Sequence, residues 1–202
     1  MAANLAMSTR SLRGGLLRCK VHPRMNLIFR LLCLLLTTRW RGRLGPLDES
    51  VLKLRVWPVD LDVNLHMNNG RYLSVMDLGR VDVILRTGLL LPLLRRRWAP
   101  LAGSATLRFR RSLGPFSHYE LRSRILGWDD KWFFFDQRFV RDGRLMAHGM
   151  AKALLRSGSG NVAPIDVLGA AGLPTKSPPL SAAIIAWREA ETAIIDASHC
   201  TT

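Results

Sequence analysis

The chain has 202 residues, 48% of them hydrophobic, enough for one domain with its own core and short extensions at either end. A formal net charge of +15 favours partners that carry phosphate, but the arginines are scattered and no recognition helix, zinc finger or pair of stacking aromatics is visible, which argues against nucleic acid. The three cysteines, Cys19, Cys33 and Cys200, are odd in number and too widely spaced for a disulfide framework or a metal site, and they point to a reducing compartment, the cytoplasm.

Met1 to Leu47 contains no Asp or Glu but carries nine basic residues, Arg10, Arg13, Arg18, Lys20, Arg24, Arg30, Arg39, Arg41 and Arg43. That composition resembles a transit peptide. The plainer reading, preferred here, takes residues 1–24 as disordered or an over-long start, because ordered patterning begins only at Met25. Residues 25–47 are expected to form an amphipathic helix and a linker. The apolar run from Met25 to Leu36 holds Arg30 and is shorter than the ~20 residues a membrane span needs. It is expected to dock on the domain or, through 25–43, to touch a membrane surface.

The domain proper is placed at 48–160. Leu52, Leu54 and Val56 alternate with Lys53 and Arg55 up to Pro58, the pattern of a half-buried strand. From Asn69 to about Arg86 the positions Tyr72, Val75, Met76, Gly79 and Val83 recur at helical spacing, with Arg71, Ser74 and Asp77 on the other side. Asn68 or Asn69 can cap this helix and Gly88 can end it. Leu73, Val81, Ile84 and Leu85 widen its apolar surface, so it is expected to be central and enclosed.

A basic connection through Arg95, Arg96 and Arg97 leads to four strand-like segments, SATLRFRRS, SHYELRSRILGW, KWFFFDQRFV and RLMAHGMAKALLR. Asp142 and Gly143 join the last two as a tight hairpin, both residues tolerating positive φ. One strand, one buried helix and an antiparallel meander make an α+β order in which the sheet can wrap around the helix. Residues 161–202 are expected to be a helical extension, with a short segment around Val167 and a helix from Leu180 to Asp196 whose apolar face is Ile184, Trp187, Ile194 and Ile195.

The chemistry concentrates between Trp57 and Leu73, where Asp60, Asp62, Asn64, His66, Asn68 and Asn69 follow in quick succession. If this linker is extended, Asp62, Asn64 and His66 leave the backbone on one side. They then offer a carboxylate as base or nucleophile, an amide to hold water or a carbonyl, and an imidazole to move a proton. The first turn of the following helix, at Asn68, Asn69 and Gly70, has free N–H groups suited to an oxyanion. The bland alternative is that these residues are caps and turn formers around a hydrogen-bonded structural histidine.

The stretch DLDVNLHMNNGRYL resembles the signature of hot-dog-fold thioesterases, and is especially similar to plant acyl-acyl carrier protein thioesterases. From about Met25 the chain also resembles bacterial relatives of the thioesterase superfamily member six group. The resemblance implies a hot-dog fold, an antiparallel sheet wrapped around a long central helix, and a homodimer with its site where two protomers meet. It implies hydrolysis of an acyl thioester, carried by coenzyme A or by acyl carrier protein, with no cofactor and no metal. Asp62 corresponds to the catalytic carboxylate, and Asn64 and His66 to residues of the site in the plant branch. Asp60 matches a motif position without a central role and is taken as structural.

Two departures stand out. Many bacterial relatives place Gly before the histidine, where this chain has Leu65. The plant enzymes add a Glu or Cys after the helix, and the matching places here are Ser112 and Leu113. A non-catalytic acyl-thioester or lipid-binding protein is therefore the second reading, and a hot-dog dehydratase, with Asp77 as its second acid, the third. Arg108, Arg110 and Arg111 are candidates for phosphate binding, set against an ordinary solvated basic face. His118 and His148 are taken as structural, and Phe133, Phe134 and Phe135 as packing for the core and a subunit interface.

Overall fold

The computed structural model of the protein describes residues 27–199. The reading of residues 1–24 as disordered or over-long lies outside them. In chain order the elements are α1 (Leu27–Thr38), β1 (Ser50–Arg55), α2 (Asn69–Arg86), α3 (Leu90–Arg96), β2 (Ala99–Phe109), β3 (His118–Trp128), β4 (Phe133–Arg141), β5 (Arg144–Ser157), β6 (Gly160–Val162), α4 (Pro164–Ala170) and α5 (Ala182–His199). A single 3-10 turn, Pro58–Asp60, separates β1 from the linker.

The strands form one antiparallel sheet in the order β1-β3-β4-β5-β2, with β6 added against the end of β5. Side chains alternate across it, so Leu121, Ile125, Phe135 and Phe139 face α2 and build the core with Tyr72, Val75, Met76 and Val83. The Tyr72 ring meets Phe139 and Phe109 edge-on at 4.8 and 5.1 Å. This is the α+β hot-dog arrangement, a sheet curled around a buried helix.

Close approach of helix to sheet depends on Gly79. A Cβ there would lie 2.2 Å from Ser123 Oγ and 2.7 Å from Gln137 Nε2. In the space that glycine leaves, Gln137 Nε2 donates to the Met76 carbonyl at 2.8 Å and to Ser123 Oγ at 3.0 Å. The β4–β5 hairpin turns through Asp142 at φ +49° and Gly143 at φ +72°, as their residue types require.

Three expectations need correction. The basic connection after α2 holds a short helix, α3, ended by Arg97 in the left-handed conformation. Pro92 in that helix's first turn is compatible with it, because the N–H a proline lacks would have no partner there. The apolar face expected of α5 is used only in part. Ile184 is buried and Trp187 half-buried, while Ile194 and Ile195 are exposed. Polar contacts hold this helix instead: Glu191 pairs with Lys152 and accepts a hydrogen bond from the Ser104 hydroxyl, and Arg188 pairs with Asp129 at 3.4 Å.

The third concerns Phe133, Phe134 and Phe135, all buried within the chain and so unavailable to a subunit interface. Phe133 and Phe135 line a small apolar cavity of about 30 Å³ with Leu93 and Val167. Phe134 alternates to the other face, which it shares with Lys152, its register partner and the residue that pairs with α5.

α1 runs beside α2 and is fixed at both ends. Arg30 reaches Asp60, and Arg41, just past the helix, donates to Asp82 at 2.6 Å. Among the described residues no helix is long and apolar enough to cross a membrane.

Candidate active site

Asp60 is nearly fully buried and holds the root of the linker. Its carboxylate accepts from the Trp57 N–H at 2.9 Å, from Arg30 Nη2 at 2.5 Å, and lies 3.2 Å from Arg71 Nε. A carboxylate so enclosed and neutralised is scaffolding, as expected from its motif position.

Beyond it the linker is not extended. Leu61 and Met67 pair as an antiparallel bridge, and the five residues between them fold into a tight turn. The Asp62 N–H donates to the His66 carbonyl at 2.8 Å and the Leu65 N–H to the Asp62 carbonyl at 3.1 Å. Asp62 Oδ1 accepts from the Asn64 N–H at 2.9 Å and the His66 N–H at 3.3 Å. The alternation expected to align Asp62, Asn64 and His66 is therefore replaced by a side-chain-to-backbone turn, a competitor that aspartate offers any extended segment. No hydrogen bond joins the three side chains to one another, and Asn64 and His66 are exposed while Asp62 is half-buried.

Leu65 makes this turn at φ +58°. A left-handed backbone is one for which a branched residue such as leucine is poorly suited. Met67 leaves the turn buried, its N–H donating to the Leu113 carbonyl at 2.8 Å, and the Asn68 N–H returns to the Asp60 carbonyl at 2.8 Å.

Asn68 caps α2, its Oδ1 accepting from the Gly70 N–H at 2.9 Å, and the Arg71 N–H goes to the Asn68 carbonyl at 2.9 Å. Among the three residues expected to offer oxyanion donors, the cap consumes the Gly70 N–H. The Asn69 N–H has no acceptor among the described residues. It stands at the positive end of an 18-residue helix.

A cleft of about 400 Å³ opens here, lined by Val59, Leu61, Asn68, Gly70, Arg71 and Ser74. That is within the usual size of a small-molecule site. Leu61 places the cleft one residue from Asp62. Arg71 and Ser74 were assigned only to the outer stripe of the helix by periodicity. Their signal was their spacing from Gly70, which puts Gly70, Arg71 and Ser74 on one side of the first turn.

Leu113 is fully buried and serves the site through its carbonyl, and Ser112 precedes it on an exposed stretch. The segment matching the place where the plant branch was expected to add an acid or thiol, here Ser112 and Leu113, thus lies against Met67, next to His66. Arg110 and Arg111 enter the same stretch, both N–H groups on the Met146 carbonyl. Arg108 sits in register with His148, on the face of the sheet opposite Phe109 and hence away from α2. His148 Nε2 is 2.5 Å from Asp136 Oδ1, and Arg124 and Arg138 also reach Asp136, which is a structural use of that histidine.

Behind the cleft, Tyr119 is buried and its hydroxyl has no partner among the described residues. Burial pushes its ionisation well above the ordinary tyrosine range, with Arg30 pulling the other way.

Comparison with known proteins follows this geometry. Residues 56–187 match the family model described as the Thioesterase-like superfamily, and the chain belongs to that family. It is 42% identical to protein THEM6 of Danio rerio over 94 residues, 46% of each chain. It is 38% identical to protein THEM6 of Xenopus laevis over 105 residues, 50% of this chain and 51% of that one. The chain spans about half the length of the curated relatives it matches. A solved gentisyl-coenzyme A thioesterase superposes with a TM-score of 0.53 at 23% identity, over 61% of this chain and 99% of that one, a likeness of fold.

Proposed function

We propose that the protein hydrolyses acyl thioesters of coenzyme A or acyl carrier protein at the Asp62 turn. The observation that carries this reading is the Asp62 carboxylate, oriented by two backbone N–H groups and next in sequence to Leu61, which lines the cleft together with Asn68 and Gly70, the chain neighbours of Asn69. Asp62 takes a proton from water as the water oxygen attacks the thioester carbonyl, and the Asn69 N–H receives the developing oxyanion. The C–S bond then breaks, the acyl group leaves as the carboxylic acid, and the thiolate takes up the proton that Asp62 holds. Asn64 and His66, on the same turn, position the water and the carbonyl.

Arg110 and Arg111, beside Leu113, supply charge for coenzyme A phosphates or an acidic carrier. Arg108 lies on the other face of the sheet and would serve only a ligand reaching around the edge. We assign a homodimer, supported by the outer edge of β2, unpaired among the described residues, an 11-residue strand exposed along most of its length. Val59, Val63, Leu65 and Leu73 are exposed around the site, as a surface completed by a second copy would be. The cytoplasm is the proposed compartment, with 25–43 at a membrane surface.

A panel of acyl-CoA and acyl-carrier-protein thioesters, followed by thiol release, tests the activity. Wild type is expected to turn over at least one class, and Asp62→Asn to lower kcat about 100-fold or more. No turnover, or an Asp62→Asn rate equal to wild type, ends this reading. The absence of an acid or thiol at Ser112 and Leu113 favours one alternative, acyl binding without hydrolysis, which tight calorimetric binding of a non-hydrolysable acyl-CoA without turnover would establish. The dehydratase reading loses support because Asp77, its second acid, pairs with Arg80 on the exposed side of α2.

A further inference from the structure

α1 is amphipathic in an inverted sense. Its inner face buries Arg30 and Leu34 against the domain. Its outer face leaves Ile28, Phe29, Leu32, Leu35 and Leu36 between 43% and 66% exposed, and Trp40, just past the helix, 69% exposed. Single exposed leucines are ordinary, but a continuous stripe of this kind marks a surface that something covers.

The inversion is built in rather than loosely held. Arg30 is committed to Asp60 at 2.5 Å and Arg41 to Asp82 at 2.6 Å, so both ends of the segment are fixed with the stripe outward. Strand pairing along β2 would use the other edge of the sheet. Arg30, on α1, and Arg41, just past it, donate to carbonyls of β1, and β1 and β2 are the opposite edges of the sheet.

The charge around the stripe identifies the occupant. Residues 1–47 contain no acidic side chain, and Arg39 and Arg43 are exposed where α1 ends, with the Arg39 guanidinium 5.5 Å from the Trp40 ring centroid. An apolar helix face edged by a tryptophan and arginines matches the depth profile of a lipid surface, with hydrocarbon below and anionic headgroups beside it. The 12 described residues of α1 are shorter than a membrane span and suit a position in the interface.

We propose that the outer face of α1 docks on an anionic lipid bilayer, Ile28, Phe29, Leu32, Leu35 and Leu36 entering the interface and Arg39 and Arg43 meeting the headgroups. This deepens the membrane-surface part of the functional reading and is separable from hydrolysis, since vesicle binding and thioester turnover are read independently.

The test is co-sedimentation of the full chain with vesicles of phosphatidylcholine alone or mixed with phosphatidylglycerol. Wild type is expected to bind the mixed vesicles and to be released by salt. Leu32→Ser/Leu36→Ser is expected to weaken binding about tenfold or more through lost apolar contact, with Arg39→Gln/Arg43→Gln weakening the anionic preference. Thermal melting accompanies the measurement, and if the first pair melts early, Ile28→Ser/Leu35→Ser is read in its place. The proposal is overturned if neither vesicle binds, or if the leucine variants bind as wild type does. It is equally overturned if those variants change the sedimentation coefficient of the vesicle-free protein, which would make the face a contact between copies.

Discussion

Arg30 on α1 donates to Asp60 at 2.5 Å, a buried ion pair that ties the N-terminal helix to the root of the turn carrying Asp62. Both side chains are at most 5% exposed, so neither charge has water to fall back on. Arg30→Met is expected to destabilise the fold by about 3 kcal/mol, the lower end for breaking a buried pair because Arg71 still faces Asp60. Urea unfolding measures it. Arg30→Met/Asp60→Asn is expected to recover part of the loss, and a single-variant loss below about 0.5 kcal/mol, the size of an ordinary surface change, would show that the pair contributes little.

Leu65 occupies a left-handed conformation that costs a non-glycine residue about 1–2 kcal/mol. Its side chain is mostly exposed, so little packing is lost on removing it. Leu65→Gly is expected to stabilise the protein by up to about 1 kcal/mol, glycine's greater freedom in the unfolded chain offsetting some of the relief. A drop in melting temperature for this variant would mean that Leu65 makes a contact worth more than its strain, at a second copy's surface for example.

The same residue shows where sequence patterning stops being informative. The helix Asn69–Arg86 and the Asp142–Gly143 hairpin were legible because their signals, a 3.6-residue period and two residues tolerant of positive φ, are local and unopposed. Asp62, Asn64 and His66 carry the period of an extended strand, yet Asp62 Oδ1 bonds the backbone of the other two and folds the segment back. Polar spacing cannot distinguish these outcomes, because the deciding hydrogen bonds are made by the side chains that define the pattern. α3 was read as a basic connection through Arg95, Arg96 and Arg97, because nothing in the sequence indicates that Leu93 is buried.

Tyr119 supplies a test of the interior behind the site. Its hydroxyl is buried without a partner among the described residues, so Tyr119→Phe removes an unsatisfied group and leaves the ring packing in place, with an expected gain of about 1 kcal/mol near neutral pH. Burial raises its ionisation above the ordinary 10.0, so in alkaline solution the unfolded chain loses this proton before the folded one. Stability from this group is thus complete below about pH 10 and falls as pH rises further. Tyr119→Phe should flatten that alkaline decline in chemical denaturation measured at successive pH values, and an unchanged slope would rule the hydroxyl out as its source.

Gly79 sets two opposed effects against each other. Alanine would improve the helix by about 1 kcal/mol in intrinsic propensity. Its Cβ, however, would stand 2.2 Å from Ser123 Oγ and 2.7 Å from Gln137 Nε2, displacing the amide that bonds the Met76 carbonyl inside the closed interface. Overpacking and a broken buried hydrogen bond together outweigh the propensity, so Gly79→Ala is expected to cost about 2 kcal/mol net. Adding Ser123→Ala removes the nearest clashing atom and should return part of that loss in equilibrium unfolding. If the double variant is no more stable than Gly79→Ala alone, the strain lies against Gln137 Nε2 and Leu121 Cδ2, 2.7 and 2.8 Å from the added Cβ, and not against Ser123.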